Sequence, residues 1–218
     1  MNFEKHYRND FEGVESSSSD WLVSKRKSAL KRFIELGFPD NKIEEWKYTN
    51  IKKIASEEYK ICKTKEKIEI TDFVDYEPRI VLVNGVLCNE ISILPTEAET
   101  MPLVEAIEKK IVSREIFEDC RMDGDAFWAM NTAFMDSGLY LRVPDGIQLD
   151  VPILIINITT SVTDPTICHP RNIIDIGKGG KLSIMEQYAN FGNGDTLTNS
   201  VTQIYAAENS RVEHIMKT

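Results

Sequence analysis

Apolar residues in the first third of the chain recur at the three- and four-residue intervals of amphipathic helices. One set predicts a short helix: Phe3, Tyr7, Phe11 and Val14. A second set predicts a longer helix: Trp21, Ala29, Leu30, Phe33 and Leu36. Asp20 can cap this helix, and Gly37 with Pro39 ends it. We assign 1–65 to an N-terminal helical region, with another short helix at 51–59.

The second helix also carries a basic face. Its members are Lys25, Arg26, Lys27, Lys31 and Arg32. Charged residues on an amphipathic helix usually lie in solvent, so we interpret this face as solvated, although a patch that binds a partner has the same composition.

Residues 66–135 mix strand and helix patterns, which predicts a small α+β segment. Residues 68–74 alternate apolar and polar side chains, as an edge strand does. Asn84-Gly85 between the apolar runs 79–83 and 86–88 indicates a hairpin with a type I′ turn, because both turn positions need positive φ. Further helices are predicted at 101–117 and 125–134.

From residue 136 to 218 a unit of strand, tight polar turn, strand and linker occurs three times. Its turns centre on Gly146, Gly180 and Ser210, which are 34 and 30 residues apart. Such repeats suggest stacked coils, because one unit cannot bury its apolar face alone. An antiparallel β-sandwich also has short strands at regular spacing, so periodicity leaves both architectures open.

Composition predicts a globular protein with a hydrophobic core. Hydrophobic residues make up 42% and charged residues 28% of the 218 positions. Residues 1–65 carry a net charge of +3 and residues 66–218 carry −12. An acidic body argues against nucleic-acid binding, which depends on neutralising phosphates. Apolar runs stay well below the ~20 residues of a membrane helix, and the charged N-terminus is unlike a signal peptide, so we expect a cytoplasmic protein.

Cysteine and histidine spacing argues against a metal or nucleophilic site. Cys62, Cys88, Cys120 and Cys168 are 26, 32 and 48 residues apart, without a CxxC pair. We expect four free thiols, packed as small apolar residues in a reducing compartment. His169 adjoins Cys168, but neighbours on a strand point to opposite faces, so we expect a structural role. We assign no catalytic, cofactor-binding or metal-binding residue.

Two residue pairs allow alternative interpretations. Glu186 and Glu213 follow the second and third turns and predict either a carboxylate ladder or a solvated strand face. Trp46 and Tyr48 lie in the sequence Glu-Glu-Trp-Lys-Tyr-Thr at 44–49. These aromatic residues predict either an interface hot spot or a wedge between the N-terminal helices and the β body.

Several motifs occur in an order that resembles the SufB/SufD family of iron–sulfur cluster assembly proteins. The first are Gly37-Phe38-Pro39 with Trp46-Lys47-Tyr48-Thr49, and the hairpin Asn84-Gly85. The later ones are Phe127, Asn131, Phe134, Gly138, His169-Pro170-Arg171, Glu186, Tyr188 and Leu197-Thr198-Asn199. The resemblance runs from about residue 20 to the end of the chain. The Trp-Lys-Tyr-Thr element makes it closer to the SufD branch than to the SufB branch.

The resemblance implies a mainly β protein with a helical N-terminus, in which 136–218 forms the first coils of a right-handed parallel β-helix. It also implies a non-catalytic scaffold subunit that works with SufB-type and SufC-type subunits, with ATP turnover belonging to the SufC type. No cofactor is expected on this chain alone, because the iron–sulfur cluster is transient and forms in the full complex. The family places its cluster-handling residues and its SufC-binding region beyond position 218.

We therefore expect the sequence to be the N-terminal half of such a protein, with an exposed coil edge at 212–216 that self-associates. Two other functions are considered. A carbohydrate-acting β-helix enzyme would need clustered acids, whereas the acids here are scattered. A β-helical adaptor would use the basic helix and Trp46 to bind its partner.

Overall fold

The computed structural model is a mixed α/β protein in which N-terminal helices precede several sheets, and it describes residues 3–12, 19–62, 76–118, 124–161 and 163–217. Its α-helices are α1 Phe3–Glu12, α2 Asp20–Leu36, α3 Lys52–Ser56, α4 Leu103–Glu108 and α5 Ala126–Phe134. Its strands are β1 Lys60–Ile61, β2 Arg79–Val83, β3 Val86–Leu87, β4 Glu99–Pro102, β5 Leu139–Val143, β6 Ile153–Ser161, β7 Thr166–Cys168, β8 Arg171–Ile176, β9 Lys181–Gly192, β10 Thr196–Thr198, β11 Val201–Ala206 and β12 Arg211–Lys217. No helix in these ranges is long and apolar enough to cross a membrane.

Helix α2 ends at the residue that its sequence predicts, but its N-terminus differs from the prediction. Gly37 has φ 64° and donates its N–H to the Phe33 carbonyl, as a C-terminal glycine does. Ser19 precedes the helix in an extended conformation without a side-chain cap, and Asp20 is the first helical residue, so the predicted Asp20 cap is wrong. The solvated assignment of Arg26 is also wrong, because it is 4% exposed and donates to the Met135 carbonyl.

The N-terminal helices share an aromatic core with α5. The ring of Tyr7 lies 5.0 Å from that of Phe33, and Phe11 lies 6.1 Å from Phe134, both in edge-on geometry. Ile167 of β7 belongs to the same buried cluster. Edge-on aromatic pairs stabilise a core by more than the burial of their apolar surface alone. This aromatic core therefore attaches the helical region to the sheets.

The segment after β1 agrees with its predictions only in part. The hairpin is present, since β2 and β3 pair antiparallel around Asn84 (φ 52°) and Gly85 (φ 79°). The long helix predicted at 101–117 is wrong: Met101 lies in β4, α4 ends at Glu108, and a separate 3₁₀ helix follows at Arg114–Phe117. Because β4 pairs with β5, the backbone N–H and C=O groups of β4 are hydrogen-bonded within the sheet and cannot take part in a helix. The strand predicted at 68–74 lies outside the described residues, and so does Val14.

Three sheets are built from strands that recur along the chain. Their orders are β1-β7-β10, β11-β8-β5-β4 and β12-β9-β6-β2-β3. All pairs among β5 to β12 are parallel, whereas the antiparallel pairs are β2 with β3 and β4 with β5. Parallel strands are joined by long crossover connections and not by tight hairpins. The antiparallel β-sandwich is therefore not the architecture of these sheets.

The polar turns lie on one another as the repeat predicts. Gly146 donates its N–H to the Lys178 carbonyl at 2.8 Å, and Gly179 donates to the Glu208 carbonyl at 3.0 Å. After the turn at Gly146, strand β6 begins only at Ile153, directly after Pro152, whose nitrogen cannot donate to a ladder. Between the sheets, alternate apolar residues of β5, β6, β8 and β9 form a second buried core.

Candidate functional site

A fully buried carboxylate lies at the centre of a polar cluster inside the sheets. Glu186 shares the inward face of β9 with Leu182 and Ile184, and its exposure is 0%. Its nearest partners are the Tyr188 hydroxyl at 2.7 Å and His214 Nε2 at 2.9 Å. Three more donors surround it: Asn157 Nδ2 at 3.3 Å, Asn172 Nδ2 at 3.2 Å and Thr202 Oγ1 at 3.2 Å.

The arrangement of donors around Glu186 determines what this carboxylate can do. An ionised carboxylate only accepts hydrogen bonds and has about four lone-pair positions, and five side chains lie within hydrogen-bond distance of it. Burial, together with the charge of Glu186, raises the pKa of Tyr188. The carboxylate is therefore hydrogen-bonded as in a structural network, to which every strand from β6 to β12 except β7 and β10 contributes a side chain.

Neither interpretation of Glu186 and Glu213 holds for both residues: the carboxylate ladder is wrong, and a solvated strand face applies to Glu213 but not to the buried Glu186. The register pairs Glu186 with Met216, and Glu213 with Ser183. Glu213 is exposed and lies 3.3 Å from the Ser183 hydroxyl. Glu186 lies six residues after its turn glycine, Gly180, whereas Glu213 lies three residues after Ser210. The two offsets differ by an odd number, and because side chains alternate along a strand, the two carboxylates lie on opposite faces.

Cys168 and His169 have separate surroundings. Cys168 Sγ lies 3.1 Å from Thr159 Oγ1, and burial raises the pKa of this thiol to about 11. The His169 ring stacks on Phe134 at 5.3 Å, with Asn199 Nδ2 at 3.2 Å from Nδ1. Burial lowers the pKa of His169 to about 3, so its imidazole is neutral at physiological pH. Neither side chain is placed to activate the other.

Helix α5 is attached to the sheets by a polar contact set whose role the sequence did not reveal. Asn131 Nδ2 donates to the carbonyls of Pro170 (3.0 Å) and Asn199 (2.7 Å). Arg171 donates to Gln203 Oε1 at 2.8 Å, and its guanidinium lies 4.9 Å from the Trp128 ring. All of these contacts join residues more than thirty positions apart, and local periodicity carries no information about such pairs.

The two aromatic residues singled out at the N-terminus have different environments. Trp46 is half-buried, with its ring 5.3 Å from that of Phe127 in α5. Tyr48 is 90% exposed, with Lys47 Nζ 5.4 Å from its ring centre. An open cavity of about 550 Å³ lies beside Trp46 and is lined by Leu36, Pro39 and Ile43 among others. Trp46 thus packs against the body, whereas Tyr48 is presented to solvent.

The structure places the thiols apart from any chelating set. Within the described ranges, no group of three or more His, Cys, Asp or Glu side chains could hold a metal ion. The thiols of Cys62 and Cys88 are half-buried, and that of Cys168 is buried. Cys120 lies outside the described residues.

Two family models match consecutive parts of the chain. The SufBD protein N-terminal region matches 1–155, and the core domain of SufBD proteins of the SUF system of iron–sulfur cluster assembly matches 157–217. Together they extend over nearly all of the sequence.

Two curated proteins are also similar. An iron–sulfur cluster assembly SufBD family protein of Synechocystis is 22% identical over 222 residues, which is 93% of this chain and 48% of that protein. The iron–sulfur cluster assembly protein SufD of Escherichia coli is 20% identical over 194 residues, which is 85% of this chain and 44% of that protein. The chain spans about half the length of the curated relatives it matches.

Proposed function

The chain belongs to the SufBD family of the SUF iron–sulfur cluster assembly system, and we propose that it acts there as a non-catalytic scaffold subunit. The observation that carries this proposal is the match of both family models in consecutive order along one chain. Family membership implies a role in iron–sulfur cluster assembly. The scaffold role rests on the resemblance together with the character of the described polar sites.

Those sites favour a scaffold over an enzyme. A catalytic acid or base needs a free position for the proton or the substrate, but the lone pairs of Glu186 are occupied by surrounding donors. The thiol of Cys168 and the imidazole of His169 are buried among apolar and hydroxyl groups. The carbohydrate-acting alternative needs two facing acids, and the two acids nearest to that pattern, Glu186 and Glu213, lie on opposite faces.

We propose SufB-type and SufC-type subunits as the partners, in the cytoplasm, with a cluster that is transient and held by the complex. The resemblance places the SufC-type contact outside the part of the family that this chain matches. We further propose that the parallel strands of 136–218 form the first coils of a right-handed parallel β-helix. Parallel pairing at a spacing near 30 residues, for example Val201 opposite Arg171, supports this architecture.

Tyr48 is the residue we propose for partner contact. A tyrosine that is 90% exposed leaves most of its apolar ring in water, and tyrosines are enriched among residues that dominate binding energy. Trp46, by contrast, serves packing through Phe127. The adaptor alternative would use the same surface without an iron–sulfur role.

Affinity purification of the tagged chain, co-expressed with SufB-type and SufC-type proteins, tests the proposal. We expect retention of the SufB-type subunit, no ATP hydrolysis by the chain alone, and no retention of a SufC-type protein offered by itself. Tyr48→Ala should weaken partner retention at least about fivefold, the size expected of an interface anchor. Phe191→Ala is the control, since Phe191 is another exposed aromatic residue, at 58%. Failure to retain any SUF subunit, or ATP turnover by the chain, would overturn the scaffold role.

A further inference from the structure

Two cysteines that are distant in sequence meet at the edge of the three-stranded sheet. Strands β1 and β7 pair in parallel, with Lys60 opposite Thr166 and Ile61 opposite Ile167. The pairing continues one residue further, because the N–H of Cys62 donates to the Ile167 carbonyl at 2.9 Å. The next register position therefore sets Cys62 beside Cys168.

The side chains of these residues also share a face. Ile61, Ile167 and Leu197 all pack into the core under the N-terminal helices. Side chains alternate along a strand, so the next residue on each strand faces the opposite side. Thr198, the neighbour of Cys168 on β10, accordingly lies 3.9 Å from its Sγ. Cys62 occupies the equivalent position on β1, and the charge of its thiolate acts on Cys168.

We propose that Cys62 and Cys168 form an oxidation site at which a low-molecular-weight disulfide, such as oxidised glutathione, closes an intrachain disulfide between β1 and β7. Neighbouring strands lie about 4.8 Å apart, and disulfides join Cα atoms about 4.4–6.8 Å apart, so little backbone movement is needed. The bond would link the first strand of the helical region to the stacked sheets.

The reaction proceeds by two thiol–disulfide exchanges. The Cys62 thiolate attacks one sulfur of oxidised glutathione, and a glutathione thiolate leaves. The Cys168 thiolate then attacks Cys62 Sγ and displaces the second glutathione thiolate. The two cysteines are oxidised, the glutathione disulfide is reduced by two electrons, and the two thiol protons end on the two released glutathione molecules.

The order of attack follows from exposure. Cys62 is half-buried, whereas Cys168 is 4% exposed, so external disulfides reach Cys62 first. Burial, together with the smaller effects of the Cys62 and Asp136 charges, raises the pKa of Cys168 to about 11, although hydrogen bonds with the Thr159 and Thr198 hydroxyls act to lower it. Tyr188 also interacts with this thiol. The Cys168 thiolate fraction thus grows about tenfold per pH unit below that pKa, and ring closure should accelerate equally.

Mass spectrometry of alkylated protein after exposure to oxidised glutathione tests this site. We expect both thiols of the folded wild-type chain to become resistant to alkylation and the digest to contain a linked Cys62–Cys168 peptide. Dithiothreitol should reverse both changes. The melting temperature should rise by about 10 °C, since the bond closes a long loop. Raising the pH from 7 to 8 should accelerate closure about tenfold.

Variants separate the two steps. Cys168→Ser, or Cys168→Ala, should stop at glutathione bound to Cys62, and Cys62→Ser should leave Cys168 reduced. Cys88→Ser is the matched control and should close the bond as the wild-type chain does, because Cys88 contacts Glu90 in another part of the fold. Persistent glutathione on wild-type Cys62 at pH 9, linkage to another cysteine, or closure that needs denaturant would overturn the proposal. The identity of the cysteines that are linked in the oxidised wild-type chain tests the proposal even if a variant does not fold.

Discussion

Glu186 illustrates how a single residue links successive strands. Its carboxylate receives hydrogen bonds from β6, β8, β9, β11 and β12, so one side chain contacts residues up to 29 positions away along the chain. If the Glu186 carboxylate is replaced, the buried donors around it lose their hydrogen-bond partner. The contribution of Glu186 is therefore to the stability of the network.

Replacing Glu186 by Gln should destabilise the fold by about 3 kcal/mol, because the new amide N–H₂ would face donors and leave buried groups unpaired. Equilibrium denaturation in urea measures the change. Glu213→Gln is the control: Glu213 is exposed on the other face, and its effect should stay within about 0.5 kcal/mol. Equal effects of the two substitutions would contradict the network role.

At the level of elements, close backbone approach determines how β5 joins the stack. Gly138 precedes β5 with φ 125°, and its N–H donates to the Gly85 carbonyl at 2.8 Å. A Cβ at this position would lie 1.9 Å from the Arg171 carbonyl oxygen. Only glycine leaves room for the neighbouring strand there.

We expect Gly138→Ala to lower the free energy of unfolding by about 3 kcal/mol, through strain at positive φ and the collision with Arg171. Thermal unfolding followed by circular dichroism measures this. Gly124→Ala provides the comparison, since a Cβ there meets nothing within 4 Å, and its effect should be small. A Gly138→Ala protein as stable as wild type would show that the strands separate more easily than the structure indicates.

At the scale of the whole molecule, the last strands of the described stack have one edge each without a partner strand in the described ranges. Strands β10, β11 and β12 each pair on one side only among the described residues. Ile215 and Met216 on β12 are 51% and 54% exposed. Unpaired strand edges with apolar side chains favour association with other strands.

The 218-residue chain should therefore form dimers or larger species through β12. Light scattering coupled to gel filtration detects them. Ile215→Lys should shift the population towards monomer, because a charge on an edge strand opposes pairing. Val151→Lys changes an equally exposed apolar residue, at 52%, away from that edge and should leave association intact. A wild-type chain that stays monomeric at high concentration would contradict this prediction.

The sequence by itself determined the features that local rules encode. The end of α2 at Gly37, the Asn84-Gly85 hairpin and the position of α5 follow from backbone conformation and from helical period. The sequence also carried the family motifs, and it singled out Trp46, Tyr48 and Glu186 without deciding their roles.

Only the tertiary structure decided the contacts between distant segments. Burial of Arg26 depends on a carbonyl 109 positions away, and the start of α4 depends on pairing between β4 and β5. Glu186 became a network centre, and Cys62 a neighbour of Cys168, because parallel strands bring together residues separated by whole repeats or by the α+β segment. A local pattern predicts which face of a strand a residue occupies. Its partners are determined by the register between stacked strands, and that register depends on the packing of the whole chain.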